Sequence, residues 1–245
     1  MTKIKLTIEY VGTDFCGWQS QTNGNSVQDA VERALSKYFG GEFIRLYAAG
    51  RTDVGVHARG QVAHFTTDKK VNPYKLCLGV NLSLPVSVAV TNAEMVSDDF
   101  DARFSAVSKT YRYRIYVSPV RKPTLDVNHT QVYKPLDIIA MQSAAELLVG
   151  THDFKTFQNT GSNLKGTVRT VNGFSVTDNA DGTICFTVNG NAFLYNQVRN
   201  MCGLLVDVGK HKYDIDDVKK SLEGIRLKYK TMPAKGLTLE KVYYE

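Results

Sequence analysis

The segment Ala48-Ala-Gly-Arg-Thr-Asp-Val-Gly-Val-His-Ala-Arg-Gly-Gln-Val-Ala-His-Phe65 brings together residues that can do chemistry. A strand pattern runs into Gly50, and the polar triplet Arg51-Thr52-Asp53 follows. Gly55 and Gly60 allow tight turns before the next strand pattern begins. A carboxylate at the end of a strand is well placed for catalysis, because rigid elements hold the loop that carries it. Asp and Gly also dominate ordinary turns, so taken alone Asp53 reads first as an acceptor of local backbone hydrogen bonds. Arg51 reads as a phosphate contact or as a solvated loop charge.

A second segment is Ser108-Lys-Thr-Tyr-Arg-Tyr-Arg-Ile-Tyr-Val117. Strand alternation puts Lys109, Tyr111, Tyr113 and Ile115 on one face and Thr110, Arg112, Arg114 and Tyr116 on the other. Rings interleaved with guanidinium groups suit base stacking and phosphate contact. The competing reading is a strand of high β-propensity with Arg stems lying along it. The RRM ribonucleoprotein motif, with its Gly-aromatic core, is absent. A third segment, Asn191-Ala-Phe-Leu-Tyr-Asn-Gln-Val-Arg-Asn-Met-Cys-Gly203, sets Arg199 beside an apolar helical stripe of Val198, Met201, Cys202, Leu205 and Val208. An Arg at the edge of a core usually has a carboxylate partner, unless its head simply reaches water. His57 and His64 lie seven residues apart with no third ligand pattern nearby, so a structural role is favoured over metal binding.

These segments need a scaffold, and hydrophobic periodicity supplies one. Lys3 to Tyr10 alternates as a strand, with Ile4, Leu6 and Ile8 on one face. Ser26 is an expected N-cap, with Asp29 placed as in a capping box. Val27, Ala30, Val31, Ala34, Leu35 and Tyr38 then recur at helical spacing up to Gly40-Gly41. Strands are expected over 43–49, 59–66 and 87–96, and a short helix over 73–81. In the second half, strands are expected over 108–117, 167–177, 183–189 and 236–244. A helix is expected from Pro135 to Gly150 on Leu136, Ile139, Ala140, Ala144, Leu147 and Leu148. Two more are expected over 193–208, capped by Gly209, and over 214–223. The predicted class is α+β: two β-α-β-β-α-β, ferredoxin-like halves over 1–103 and 104–245, joined by a linker near 97–106.

Bulk properties fit this picture. A chain of 245 residues can build one large domain or two small ones. Its 30 Lys and Arg against 24 Asp and Glu give a net charge of +6, a modest bias toward a polyanionic partner. Cys16, Cys77, Cys185 and Cys202 match no zinc or iron–sulfur spacing and read as reduced thiols of a cytosolic protein. No signal peptide or membrane-length apolar run is expected. No P-loop, dinucleotide fingerprint or G-x-S-x-G is found.

Taken in order, the segments resemble the tRNA pseudouridine synthase A family over nearly the whole chain. The quoted pieces are Asp14-Phe-Cys-Gly-Trp-Gln19, Gly50-Arg-Thr-Asp53 with Gly55-Val-His57 and Gly60-Gln-Val62, and Phe104-Ser-Ala with Lys109-Thr-Tyr-Arg-Tyr113. Asn191-Ala-Phe-Leu with Val198-Arg-Asn200 and Gly203, and Pro233-Ala-Lys-Gly-Leu237, complete the set. The resemblance implies Asp53 as the essential carboxylate. It implies Tyr111 as the ring that stacks on the target base and can assist the movement of its C5 proton. Arg199 becomes the cation paired with the catalytic Asp, Arg51 a residue of base extrusion, and Leu237 an apolar wall. Arg112 and Arg114 join the expected substrate contacts, and Arg45, Arg59, Arg103 and Lys165 are further phosphate candidates. The resemblance also implies a homodimer that needs no metal or cofactor and acts on tRNA uridines 38 to 40. Val54, Gln197, Met232 and Thr238 depart from the commoner pattern, which leaves target choice open.

A carboxylate in that role can attack C1′ of the ribose or C6 of the ring, or deprotonate C2′ to give a glycal; the residues favour none of the three. The competing classes are a non-catalytic tRNA-binding or RNA chaperone module built on the Tyr–Arg strand, and a metal-dependent hydrolase using Asp53, His57 and His64.

Overall fold

The computed structural model describes residues 1–22, 24–159, 161 and 166–244. The chain forms two compact units. One is Met1–Val107 together with the terminal strand from Thr238, and the other is Ser108–Leu237. Both mix helices with antiparallel sheet, so the class is α+β. The expected boundary at 103/104 lies just before the observed division, and the terminal strand, expected to close the second half, belongs to the first unit.

The first unit follows the β-α-β-β-α-β order: β1 (Thr2–Tyr10), α1 (Val27–Tyr38), β2 (Tyr47–Ala48), β3 (His57–Thr67), α2 (Pro73–Asn81) and β4 (Val88–Val96). β1 is antiparallel to both β3 and β4, and β2 lies against β3. This β4-β1-β3-β2 order buries Ile4, Leu6 and Ile8, the face marked by the alternation. Ser26 caps α1 by accepting the Asp29 N–H at 3.0 Å, and its hydroxyl donates back to the Asp29 carboxylate at 2.6 Å. Here the acid takes the cap's hydroxyl rather than its backbone N–H.

The strand expected over 43–49 shrinks to Tyr47–Ala48. Buried side chains on α1 explain why. The Leu46 N–H donates to the Glu32 carboxylate at 2.9 Å, and the Leu46 carbonyl accepts from Gln28 at 3.2 Å. Backbone groups that a neighbouring strand would have used are taken by a helix instead.

The second unit contains β5 (Ser108–Val117), α3 (Pro123–Asp126), β6 (Thr130–Val132), α4 (Ile138–Leu147), β7 (Gly150–Asp153), β8 (Val168–Asp178), β9 (Thr183–Gly190), α5 (Gln197–Gly209) and α6 (Ile215–Leu222). β5, β9, β8 and β7 pair antiparallel in that order, and β6 runs parallel beside β5. Four expectations change. Pro135 precedes α4 rather than opening it, because Asp137 is the N-cap and accepts the Ala140 N–H at 2.9 Å. Ile139, assigned to the buried stripe, is 82% exposed. α5 starts at Gln197 rather than near Phe193, because Asn196 sits at φ 61, a left-handed conformation that no right-handed helix contains. Gly209 is the last residue of α5, and Lys210 is its C-cap. The strand β10 (Leu237–Tyr243) runs parallel to β3 in the first unit, with Thr238 opposite His57. Among the described residues no helix is long and apolar enough to cross a membrane.

Candidate active site

In the first unit, Asp53 stands on the loop between β2 and β3, and the residue before it is held firmly. Thr52 is 7% exposed. Its hydroxyl lies 2.8 Å from the Tyr10 hydroxyl at the end of β1, and its carbonyl accepts the Trp18 N–H at 3.1 Å. Tyr10 and Trp18 are themselves buried, with ring centroids 6.1 Å apart. Thr52 is thus fixed through both its side chain and its main chain, which limits the freedom of the next residue. Asp53 is half-buried and Arg51 exposed.

The Gly-Trp-Gln loop is the other jaw of this clamp. Gly17 adopts φ +97, and a Cβ there would sit 2.5 Å from the Thr52 carbonyl oxygen. A bare backbone is therefore required twice over, by conformation and by space. Trp18 and Gly17 are tied to α1 in turn: the Trp18 carbonyl accepts from Gln28 N–H and the Gly17 carbonyl from Val27 N–H. After Asp53 the chain reverses in a turn closed by Val56 N–H to the Asp53 carbonyl at 3.1 Å. Gly55 at φ +78 occupies the third position of that turn. Gln61 on β3 completes the frame by donating to the Gly50 carbonyl at 2.9 Å.

Two histidines follow this loop on β3, and a backbone N–H engages each of them. His57 Nδ1 accepts the Gly12 N–H at 3.0 Å, and His64 Nδ1 accepts the Ala102 N–H at 3.1 Å. A nitrogen that accepts a backbone N–H carries no proton of its own, so each ring is neutral in this arrangement. Burial holds the His64 pKa below its ordinary value, and this outweighs the neighbouring Asp101 carboxylate. Among the described residues no cluster of His, Cys, Asp and Glu has the form of a metal site.

In the second unit, β5 sorts its tyrosines by burial. Tyr113 is fully buried, its hydroxyl 2.6 Å from Thr130 and donating to the Pro233 carbonyl at 2.8 Å. Burial pushes its phenol far above the ordinary range. Tyr116 is buried as well. Tyr111 alone of the strand's three tyrosines keeps a half-exposed ring, set edge-on to Phe193 with centroids 5.3 Å apart. Arg112 and Arg114, on the other face, are partly buried. They face Thr187 and Cys185 of β9.

Arg199 projects from the first turn of α5. Its Nε donates to the Met232 carbonyl at 2.6 Å and one terminal nitrogen donates to Asn196 Oδ1 at 2.7 Å. The left-handed Asn196 is thereby explained as a holder of this guanidinium. Met232, a departure from the commoner pattern, contributes to this contact through its backbone carbonyl. Leu237 is buried at the start of β10. Arg45, Arg59 and Arg103 lie in the first unit, Arg45 3.7 Å from Glu32 and Arg59 3.8 Å from Glu240. Lys165 lies outside the described residues.

The tRNA pseudouridine synthase family model matches residues 6–105 and 144–245, which include the Asp53 loop, Arg199 and Leu237. The chain belongs to this family. It is 46% identical over 246 residues to a tRNA pseudouridine synthase A of Syntrophotalea carbinolica, covering 100% of this chain and 97% of that one. Against the tRNA pseudouridine synthase A of Ruminiclostridium cellulolyticum the identity is 44%, covering 100% of each. The corresponding protein of Streptococcus equi subsp. equi is 40% identical, again over 100% of each chain.

Sequence reasoning missed Tyr10, Gln28, Glu32 and Asn196 as parts of the site's frame. Gln28 and Glu32 carried a usable signal, since they are polar residues one helical turn apart beside the apolar stripe of Val27 and Val31. Tyr10 carried none, because a strand-end Tyr looks like any other core aromatic.

Proposed function

We propose that this protein is an isomerase that converts uridine to pseudouridine in the anticodon stem-loop of tRNA, at positions 38, 39 and 40. Asp53, Tyr111 and Arg199 are the proposed catalytic residues. Arg51, Arg112, Arg114 and Leu237 are the proposed substrate contacts. The family membership supports the reaction, and the observation that carries Asp53 is the two-point clamp on Thr52 beside it. A carboxylate that must meet one atom of a ribose or a base needs its backbone fixed, because a displacement of about 1 Å can cost about a hundredfold in rate.

The reaction breaks the N1–C1′ bond, turns the uracil and joins C5 to C1′; the C5 hydrogen leaves as a proton and N1 takes up a proton. The target base must first leave its stack, at a cost of a few kcal/mol. A ring such as Tyr111 can return about 1–3 kcal/mol by stacking on it. Asp53 must be ionised to act as nucleophile or base. The role proposed for Arg199 is the cation that favours this form. The protein is proposed to work as a cytoplasmic homodimer without metal or cofactor.

The test is release of tritium from C5-labelled uridine in a tRNA transcript, with chelator present. Release by the wild type and none by Asp53→Asn, with tRNA binding kept, is the expected result. Turnover by Asp53→Asn would remove Asp53 from the mechanism. Binding without release across a panel of tRNAs would favour a non-catalytic binding module.

A further inference from the structure

The second unit carries a concave surface that the catalytic proposal does not use. A cavity of about 670 Å³ lies between β6 with the two residues that follow it, the C-terminal half of α5 with its cap Lys210, and the 230–235 segment. Its cations are Arg121, Lys134, Lys210, Lys230 and Lys235, and its carboxylates Asp126 and Asp207. A second hollow of about 780 Å³ shares Asp207 and Lys230 with it and adds Lys212, Arg226 and Lys228. Eight cations therefore face two carboxylates across these two adjoining hollows, taken together as one groove.

The charge count makes this groove unlike the rest of the surface. Taking its eight cations and two carboxylates from the chain's 30 and 24 leaves 22 of each sign. All of the net +6 is thus concentrated here. Both carboxylates are already engaged, Asp126 with Lys235 at 2.6 Å and Asp207 with Lys212 at 2.7 Å. Among the described residues, Arg121, Lys134, Lys228 and Lys230 form no ion pair, and all four are exposed. Like charges gathered in a hollow repel one another and oppose folding. A solvated face would spread them, whereas a bound polyanion would repay the repulsion. Tyr133, 68% exposed at the rim, adds a ring on which an unpaired base can stack.

We propose that this groove is a docking surface for the phosphate backbone of the tRNA substrate, an inference that rests on the function proposed above. The groove's wall is also the segment that anchors Arg199, because Met232 lines the hollow and its carbonyl accepts the Arg199 Nε–H. RNA seated against this wall would lie next to the strut that holds a proposed catalytic residue. None of Arg121, Lys134, Lys228 and Lys230 belongs to a motif that the sequence brings forward, since they come from three separate stretches of chain.

The experiment compares tRNA binding across a range of salt for the full-length wild type and for Arg121→Gln/Lys134→Gln/Lys230→Gln. Each phosphate contact contributes about 0.9 to the slope of log K against log salt on a duplex and about 0.7 on a single strand. Loss of three contacts lowers that slope by roughly two to three and weakens binding roughly tenfold or more near 0.1 M salt. In the tritium assay KM rises in step, while turnover at saturating tRNA stays at the wild-type value. A control with the same net charge, Lys37→Gln/Lys70→Gln/Lys75→Gln on exposed sites of the first unit, keeps the wild-type slope. An unchanged slope in the groove variant, or an equal fall in the control, overturns the proposal. So does a change of sedimentation state with an unchanged slope, which would make the groove an interface between copies of this chain. Wild-type protein that binds tRNA but releases no tritium refutes the catalytic reading alone, because the slopes still report on the groove.

Discussion

Removing the Tyr10 hydroxyl should loosen the loop that carries Asp53 without touching Asp53. The Tyr10 and Thr52 hydroxyls are 2.8 Å apart, in residues 2% and 7% exposed. Tyr10→Phe leaves the Thr52 hydroxyl in a buried site with one partner fewer, and Thr52→Val does the same to Tyr10. A buried hydroxyl left short of its partner, as that of Thr52 is in Tyr10→Phe, costs about 1–3 kcal/mol, whereas replacing both partners by apolar groups of similar shape comes close to neutral. The double variant should therefore be less damaged than the two single losses together, by about 1 kcal/mol. The chain's one Trp is Trp18, which is buried beside Tyr10 and hydrogen-bonded to Thr52, so its fluorescence follows the first unit through a urea titration. The same proteins enter the tritium assay, where each single variant should lose turnover by about tenfold or more, since small displacements of a catalytic group are costly. Stability losses that simply add, with a coupling below about 0.3 kcal/mol, would mean that the two hydroxyls do not act on each other. Wild-type turnover in both single variants would refute the clamp as a positioning device, even if stability fell.

Gly17→Ala should be among the most damaging small substitutions in the chain, because its new methyl group meets the Thr52 carbonyl at 2.5 Å in a left-handed conformation. A loss of about 1–3 kcal/mol is expected from the backbone conformation alone, read as a lower urea midpoint by Trp18 fluorescence, and a midpoint equal to wild type would contradict the geometry. Acid should weaken the first unit through His64: its pKa is lowered in the fold by burial, so its contribution is fully present above the ordinary value of 6.5 and is lost as pH falls from there toward the folded value. His64→Asn, which keeps an acceptor for the Ala102 N–H, should flatten that part of the stability profile, and an unchanged profile between the two proteins would remove His64 as its source.

Much of this protein is legible from its residues alone, for local reasons. The alternation of Ile4, Leu6 and Ile8, the Ser26 cap and the helical spacing after it are properties of short stretches, and each is found in place. The helix expected over 214–223 is read the same way and is found as α6, with Asp214 as its N-cap. The Gly-Trp-Gln piece is recognisable as a motif because Gly17 answers a fixed steric demand.

What local reading missed depends on groups distant in the chain. The strand expected near Phe43 gives way because Glu32 and Gln28 reach across to Leu46. Arg199 is held by the carbonyl of Met232, 33 residues further on, which no local pattern encodes. The terminal strand reads as a strand from its alternation, but only its pairing with β3 assigns it to the first unit. Tyr10 becomes part of the site because folding sets its hydroxyl beside Thr52, 42 residues further on. The same holds for charge. The sequence fixes a total of +6, but a total has no position, and only the packing of β6, α5 and the 226–235 segment gathers it into one groove. Residue types and short spacings determine which chemistry is possible, and tertiary contacts decide which atoms are near enough for it, because hydrogen bonds and charge act over a few ångströms of space rather than along the chain.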